Sequence, residues 1–334
     1  RGVSVDLHAG EIVAMVGQSG SGKSTLGSLL LGFIRPSEGR VLTEGRDMHG
    51  LSAGERRERY RHVQAVFQDP YAAYNPFYKV DHGLTEPLRN FGVATRRADM
   101  LAKMRGACEL VGLDPDQTIH RFAHQLSGGQ RQRLMVGRAM MLGPKLLVAD
   151  EPVSMVDASL RATILDELRT LNRELGISIV YITHDLTTAF QICDNILVLY
   201  KGEAAEAGSV EHVIGNPKHP YTQLLVSSIP LPDLSQEWGA MDVPQAEASG
   251  GSVEGSCNFA PRCPRAMDIC RAEKPPKFMP DRERLARCFL YKGEPLVDVL
   301  QGQRLAPSLT FLGLRHGLAD NRVWEEKDLA VARI

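Results

Sequence analysis

The fold is decided by the stretch Gly17-Gln18-Ser19-Gly20-Ser21-Gly22-Lys23-Ser24-Thr25. An apolar run at 12–16 precedes it and a helical pattern over 24–32 follows it, so the stretch joins a strand to a helix. Glycines here let backbone N–H groups turn inward around the β- and γ-phosphates of a nucleotide, beside the positive helix N-terminus. Lys23 adds a mobile positive charge, and the Ser24 hydroxyl can bind Mg²⁺. The alternative, a glycine-rich turn without a ligand, is disfavoured by the flanking strand and helix.

The composition limits the classes of protein to be considered. The chain has 334 residues, of which 43% are hydrophobic, enough for a sizeable core and a length typical of roughly two domains. The net charge of -1 gives no overall basic field that would attract nucleic acid. No apolar run approaches the roughly 18 residues that span a bilayer. Any membrane role is therefore expected to depend on a separate partner.

A second glycine-rich element, Leu126-Ser127-Gly128-Gly129-Gln130, lies about a hundred residues downstream. Its small residues precede a predicted helix over 131–142, and a helix N-terminus of this kind can hold an anion. The phosphate loop does not need this second cradle for its own ligand. We therefore expect the nucleotide to be gripped from two sides, by two copies of this kind of domain.

Strand and helix patterns alternate along the first 230 residues. Apolar runs predict strands at 12–16, 63–67, 146–149, 177–183 and 195–200, and helical spacing predicts a helix over 160–175 that Gly176 ends. This alternation predicts an α/β fold, a parallel sheet covered by helices on both faces. Together with the loop at 17–25, it resembles the P-loop NTPase class, which implies a RecA-like parallel sheet flanked by helices. A helical insert is expected at about 80–135.

Polar residues follow three of the predicted strands. Asp150 and Glu151 follow an apolar strand, where ligands of open α/β sheets bind; Asp150 would support Mg²⁺ and Glu151 would polarise the attacking water. His184 could hydrogen-bond the γ-phosphate, and Gln68 could reach the metal and the water. The alternatives are a pair of turn-capping acids, a structural histidine and a solvated glutamine.

These elements, in this order, resemble an ATP-binding cassette (ABC) ATPase over roughly residues 1 to 230. The resemblance implies ATP and Mg²⁺ as ligands, the metal being held by Ser24, Gln68 and Asp150. It also implies that Ser127, Gly128, Gly129 and Gln130 contact the ATP of an opposing subunit, with Asp157 at the seam. The family places an adenine-stacking aromatic residue before the phosphate loop, and none occurs among residues 1–16. Either that strand has been cut from the chain or adenine is held differently, and we expect the former.

Further segments are similar to the oligopeptide/dipeptide importer branch. They are Phe67-Gln68-Asp69-Pro70-Tyr71, Asn75-Pro76 and Asn216-Pro217-Lys218-His219-Pro220-Tyr221-Thr222. This resemblance implies a second ABC ATPase subunit, identical or different, two transmembrane permease subunits and, indirectly, an extracytoplasmic substrate-binding protein. It places the chain peripherally on the cytoplasmic face of the plasma (inner) membrane. The loop at 68–78 and the helical insert would touch the permeases. Members of this branch also carry nickel or oligosaccharides, so the cargo stays open.

Four cysteines fall within 32 residues near the C-terminus, at Cys257, Cys263, Cys270 and Cys288. Their spacing lacks the tight Cys-x-x-Cys of zinc ribbons. Four thiolates suit a [4Fe–4S] cluster, and nearby arginines could offset its charge. The resemblance to the peptide-importer branch also implies an iron–sulfur cluster; zinc and unligated thiols are the alternatives. Cys108 and Cys193 are expected to be core residues.

The domains expected are an ABC ATPase domain at 1–230, a linker with the four-cysteine segment at 231–300, and a tail of unknown role at 301–334. There are two alternative functions. The first is a nucleic-acid- or ribosome-associated ABC ATPase, a class that usually shows coiled coils, basic arms or paired cassettes. No nucleic-acid partner is expected for this chain. A soluble phosphotransferase would leave residues 126–130 unexplained.

Overall fold

The computed structural model describes residues 2–70, 73–154, 156–229, 255–281 and 284–296. The described chain divides into two compact units. The first unit holds residues 2–6, 13–23 and the described residues from 183 to 296. The second unit holds residues 7–12 and 24–182. The predicted boundary near 230 stays a prediction, and Tyr71 of the importer-like segment and the tail at 301–334 lie outside the described residues.

The elements follow the predicted alternation. The described strands are β1 (Ile12–Val16), β2 (Leu42–Thr43), β3 (Arg46–Asp47), β4 (Val63–Val66), β5 (Leu146–Asp150), β6 (Ser178–Thr183), β7 (Asn195–Tyr200), β8 (Glu203–Ser209), β9 (Phe278–Asp281) and β10 (Arg284–Ala286). The described α-helices are α1 (Lys23–Leu31), α2 (Ala53–His62), α3 (Val80–Asn90), α4 (Arg97–Leu110), α5 (Pro115–Thr118), α6 (Gly128–Met140), α7 (Ala158–Leu175), α8 (Leu186–Ile192), α9 (Val210–Gly215), α10 (Pro220–Ser227) and α11 (Asp268–Ala272). The strands predicted at 12–16 and 195–200 are confirmed to the residue.

In the first unit, parallel and antiparallel pairings are combined. β1 pairs parallel with β7, from Val13 opposite Asn195 to Val16 opposite Val198. β7 then turns back into β8 through Lys201 and Gly202, whose φ angles of 46° and 82° suit a tight hairpin turn. The expected α/β fold with a parallel sheet flanked by helices is confirmed, and in this part β8 adds an antiparallel strand that the sequence did not predict. β8 reads EAAEAGS and has no β-branched residue, so its strand character depends on its neighbours and not on propensity.

The second unit contains the other parallel strands and the helical insert. β4 pairs parallel with β5, and β5 pairs parallel with β6, so these three strands end at one edge. All residues of β6 are buried, the pattern of a parallel strand covered on both faces. The insert consists of α3, α4 and α5, and it packs Leu84 and Leu88 out of solvent. Gly176 ends α7 with a φ of 67°, as predicted.

The described part of the four-cysteine segment joins the first unit through a strand. β10 pairs antiparallel with β8, with Leu285 opposite Ala207 and Ala286 opposite Glu206. Cys193 is buried, as expected of a core residue, and Cys108 is buried in α4 of the second unit. Among the helices of the described residues, none combines the length and the apolar character needed to cross a bilayer.

Candidate functional site

The phosphate loop is held against the turn between β7 and β8. Gly17 follows β1 and lies so close to β7 that a Cβ there would be 2.3 Å from the carbonyl oxygen of Leu199. Gly22 has a φ of 102°, and a Cβ there would lie 3.4 Å from the Cα of Gly202. The Gly202 N–H donates to the carbonyl oxygen of Ser21 at 2.8 Å. Only glycine allows this close approach and this backbone conformation at Gly17 and Gly22.

Lys23 starts α1 and is buried, with its ammonium inside the loop. Its Nζ donates to the carbonyl oxygens of Gly17 at 2.6 Å and Gln18 at 3.2 Å. Ser24 and Thr25 follow in the first turn of the same helix, where backbone N–H groups have no partner within the helix. Loop, ammonium and helix N-terminus therefore lie together, as the sequence predicts, and their role as an anion cradle stays a prediction.

In the second unit, the predicted catalytic residues follow adjacent parallel strands. β4 and β5 are in register, with Val66 opposite Ala149. Asp150 is the last residue of β5, and Gln68 and Glu151 follow the two strands at the same sheet edge. Glu151 has a φ of 51°, a left-handed backbone that is costly for a non-glycine residue. Its N–H donates to the carbonyl oxygen of Ile182 at 2.9 Å, and its own carbonyl oxygen accepts from the Ser154 hydroxyl at 3.0 Å. The turn is thus held in place by the neighbouring strand.

His184 follows β6, as predicted, and its side chain is exposed. The residue after it, Asp185, caps α8 by accepting from the Thr187 N–H at 2.9 Å. The histidine is therefore presented between a buried strand and a capped helix. It belongs to the first unit and Glu151 to the second, so their shared role stays a prediction.

The second glycine-rich element forms the start of α6. The helix begins at Gly128, inside the element, and not at 131 as the sequence suggested. Ser127 and Gln130 cap it reciprocally: the Gln130 N–H donates to the Ser127 hydroxyl at 3.2 Å, and the Ser127 N–H donates to Gln130 Oε1 at 2.9 Å. Ser127 is exposed, so this helix N-terminus faces solvent.

Asp157 caps α7 immediately beside the start of α6. Its carboxylate accepts from the Leu160 N–H at 2.9 Å and from the Ser159 hydroxyl at 2.8 Å, and the first of these bonds is the main reason that its pKa is lowered. A Cβ on Gly129 would lie 2.7 Å from Leu160 Cδ1, so the glycine lets the two helix N-termini approach. The sequence did not predict this contact.

The four cysteines converge, although they are spread over 32 residues. Cys257, Cys263, Cys270 and Cys288 all line one enclosed cavity of about 10 Å³. Burial raises the pKa of the Cys288 thiol to about 12, and the three other thiols add to the rise. Within the described residues, no group of three or more His, Cys, Asp or Glu side chains is spaced to hold a metal ion. The cysteines are thus brought together, as expected, around one small cavity.

Two residues outside the predicted site contact the phosphate loop. The Gln18 N–H donates to Tyr221 Oη at 2.8 Å, and Arg262 Nη1 donates to Gln18 Oε1 at 2.9 Å. The sequence could not reveal these bonds, because they join residues more than 200 positions apart. The available signals were weak: a tyrosine in the importer-like segment and an arginine beside Cys263.

Comparison with known families gives the class of protein that this fold and this loop define. The ABC transporter family model matches residues 1–154. The model of the oligopeptide/dipeptide transporter C-terminal region matches residues 205–270. The chain is an ATP-binding cassette subunit, an ATPase of an ABC transporter. Within that class, it belongs to the oligopeptide/dipeptide transporter family.

Individual proteins agree with this assignment. A putative peptide import ATP-binding protein of Brucella ovis is 42% identical and covers 82% of this chain and 86% of its own. The oligopeptide transport ATP-binding protein OppF of Salmonella typhimurium is 38% identical, with 82% of each chain covered. Among solved structures, cbiO1 of Clostridium perfringens, part of the ABC transporter complex cbiONQ, matches with a TM-score of 0.58 at 26% identity, covering 65% of this chain and 84% of that one. A dimeric post-hydrolysis state of the ATP-binding cassette MJ0796, bound to ADP and Pi, matches with a TM-score of 0.55 at 26% identity, covering 62% and 88%.

Proposed function

We propose that ATP binds with its phosphates in the loop at 17–25. The observation that carries this proposal is the loop itself, in which Lys23 Nζ lies among the loop carbonyl oxygens at the N-terminus of α1. The ammonium and the helix N-terminus bind the β/γ oxygens, and Ser24 contributes its hydroxyl to Mg²⁺. Bound Mg²⁺ neutralises phosphate charge in the transition state.

We propose that Glu151 orients and polarises the attacking water. Hydrogen bonds to Ile182 and Ser154 hold its backbone in place, so its side chain starts from a fixed position. Asp150 and Gln68 serve the metal, and Gln68 also reaches the water. His184 is proposed to hydrogen-bond the γ-phosphate. These roles rest on family membership and on the strand ends where the residues lie.

Replacing the proposed base tests this assignment. In Glu151→Gln, ATP binding is expected to stay within about threefold of wild type, while hydrolysis falls by roughly 10³-fold because the water is no longer polarised. Nucleotide titration and phosphate release measure the two quantities. Glu174→Gln, an exposed glutamate on α7, is the matched control and should hydrolyse ATP normally. Unimpaired turnover in Glu151→Gln would remove Glu151 from the mechanism.

We further propose that two cassettes sandwich two ATP molecules. Ser127 to Gln130 would contact the ATP of the opposing cassette, and Asp157 would lie at the seam. The exposed N-terminus of α6 supports this proposal, because the backbone N–H groups of a first helical turn can bind an anion from outside the chain. The partner cassette is either a second copy or a different chain.

The proposed cargo is oligopeptides or dipeptides, moved by two separate permease subunits that receive it from a binding protein. This would place the chain on the cytoplasmic face of the inner membrane. Exposed aromatic side chains around the loop at 68–78 suit a permease contact: Phe67 is 39% exposed, Phe77 85% and Tyr78 51%. Phe67 also stacks on exposed Phe33, with ring centroids 6.3 Å apart. Such a cluster is typical of an interaction surface.

Purification of the native complex tests these partners. We expect membrane subunits to co-purify, together with one or two cassette chains, as identified by mass spectrometry. Nucleic acid or ribosomal protein in their place would favour the rival function. A γ-phosphate transferred to a metabolite, and not to water, would favour a phosphotransferase.

We also propose that the four cysteines hold a [4Fe–4S] cluster, with zinc or free thiols as alternatives. Their convergence on one cavity supports this proposal. The cluster would serve structure or regulation. Iron and acid-labile sulfide at about four atoms each per chain are expected in anaerobically purified protein. Zinc in place of iron would favour a zinc site, and protein without metal would favour free thiols.

A further inference from the structure

Two residues from the later part of the chain, Tyr221 and Arg262, contact the phosphate loop, and both bind Gln18. Its backbone N–H donates to Tyr221 Oη, and its side-chain oxygen Oε1 accepts from Arg262 Nη1. Gln18 also supplies one of the two carbonyl oxygens that hold Lys23 Nζ. A displacement of Gln18 therefore changes the position of the ammonium.

Tyr221 is fixed in place before it reaches the loop. The residue is fully buried, and its ring packs on Tyr200 and Phe259 at centroid distances of 4.6 and 5.5 Å. Burial raises the pKa of its hydroxyl, so the group stays neutral at physiological pH. A neutral hydroxyl held by a packed ring is a rigid acceptor for the Gln18 N–H.

Arg262 reaches the loop from within the four-cysteine segment. It ends the 3₁₀ turn Ala260–Arg262, which lies between Cys257 and Cys263. The Ala260 N–H donates to the carbonyl oxygen of Cys257 at 3.0 Å, and the Cys263 N–H donates to that of Ala260 at 3.3 Å. The turn that carries the arginine is thus built on the backbone of two of the cysteines.

We propose that Arg262 is a positioning residue for ATP binding: it fixes Gln18, and through Gln18 the ammonium of Lys23, and so ties the phosphate loop to the four-cysteine segment. The inference rests on the proposed ATP site at 17–25. A change in the packing of the cysteines moves the turn, and Arg262 moves with it. The segment thereby sets the ATP affinity of a loop that is more than 200 residues away in sequence.

The test is a double-mutant cycle on ATP binding and hydrolysis in the full-length chain. Arg262→Ala is expected to raise the Kd and KM for ATP about three- to tenfold, because an exposed bond from a charged donor is lost. The kcat at saturating ATP should stay within about twofold. Gln18→Ala removes the same bond from the loop side. The double variant should resemble either single variant within about twofold, and Arg262→Lys, which retains a donor, should recover part of the affinity.

Arg271→Ala is the matched control. This exposed arginine lies in α11 of the same segment, so its loss removes the same charge without touching the loop. Wild-type affinity in Arg262→Ala, additive losses in the double variant, or an equal loss in Arg271→Ala would each overturn the proposal. If Arg262→Ala does not fold, Gln18→Ala alone decides. Lys23→Ala separates the proposed ATP site from the positioning role of Arg262. If Lys23→Ala binds ATP normally, the ATP site itself is wrong. If Lys23→Ala loses ATP binding while Arg262→Ala binds normally, only the positioning role is wrong.

Discussion

At the residue scale, burial changes the pKa of His219, a residue of the importer-like segment at 216–222. Its side chain is buried beside Phe259, and its Nδ1 accepts from the Tyr221 N–H at 3.0 Å as the cap of α10. Burial lowers its pKa from 6.5 to about 4. The unfolded chain therefore binds more protons between these two pH values, and the free energy of unfolding falls as the pH is lowered through this window.

We expect this histidine to make the protein acid-sensitive. Protonation should remove up to about 3 kcal/mol of stability between pH 6.5 and pH 4. His219→Asn retains a capping acceptor but cannot be protonated, so its stability should depend less on pH in this window. Urea unfolding at pH 7, 5.5 and 4 measures the effect. His124→Asn, at an exposed position, should leave the wild-type slope unchanged. An equal slope in His219→Asn and wild type would contradict the expectation.

At the element scale, the contact between α4 and α6 depends on one glycine. A Cβ on Gly137 would lie 2.7 Å from the carbonyl oxygen of Ala107 and 3.4 Å from Val111 Cγ2. The closest obstacle is backbone, which cannot move aside as a side chain can. The helix that begins with the second glycine-rich element is therefore held against the helical insert by close packing.

Gly137→Ala should separate these helices. We expect a loss of about 1–3 kcal/mol in the free energy of unfolding, because an added methyl group overpacks the contact. Gly106→Ala in α4 is the matched control, since a Cβ there meets nothing within 4 Å. That variant should gain up to about 1 kcal/mol from helix propensity. Equal stability of the two variants in chemical unfolding would show that the contact does not depend on Gly137.

At the scale of the whole molecule, the ATP-binding loop and the second glycine-rich element are proposed to serve different nucleotides. A chain with a damaged phosphate loop could then still supply its second glycine-rich element to the ATP of its partner. A chain with a damaged second element could likewise still bind ATP in its own loop. This complementarity separates a sandwich of two cassettes from a self-sufficient ATPase.

Mixing two inactive variants tests the sandwich. Lys23→Ala and Ser127→Arg should each hydrolyse ATP at less than about a tenth of the wild-type rate, since each homodimer lacks a complete site. In a mixture, the mixed dimer has one complete site, so activity should rise several-fold above either variant alone. Phosphate release at equal total protein measures it. Mixing each variant with itself is the control, and a mixture without recovery would argue against pairing of two copies of this chain.

The sequence by itself determined the phosphate loop, the strands at 12–16 and 195–200 and the family, because apolar runs and glycine spacing are local signals. It also placed Gln68, Glu151 and His184 after strands and Asp150 at a strand end, since apolar runs mark where strands stop. Only the tertiary structure decided the antiparallel pairing of β8 with β10. β8 has weak propensity, and long-range partners supply its stability. The bonds of Tyr221 and Arg262 to Gln18 were decided in the same way: they join residues 203 and 244 positions apart, and no local pattern encodes such a distance.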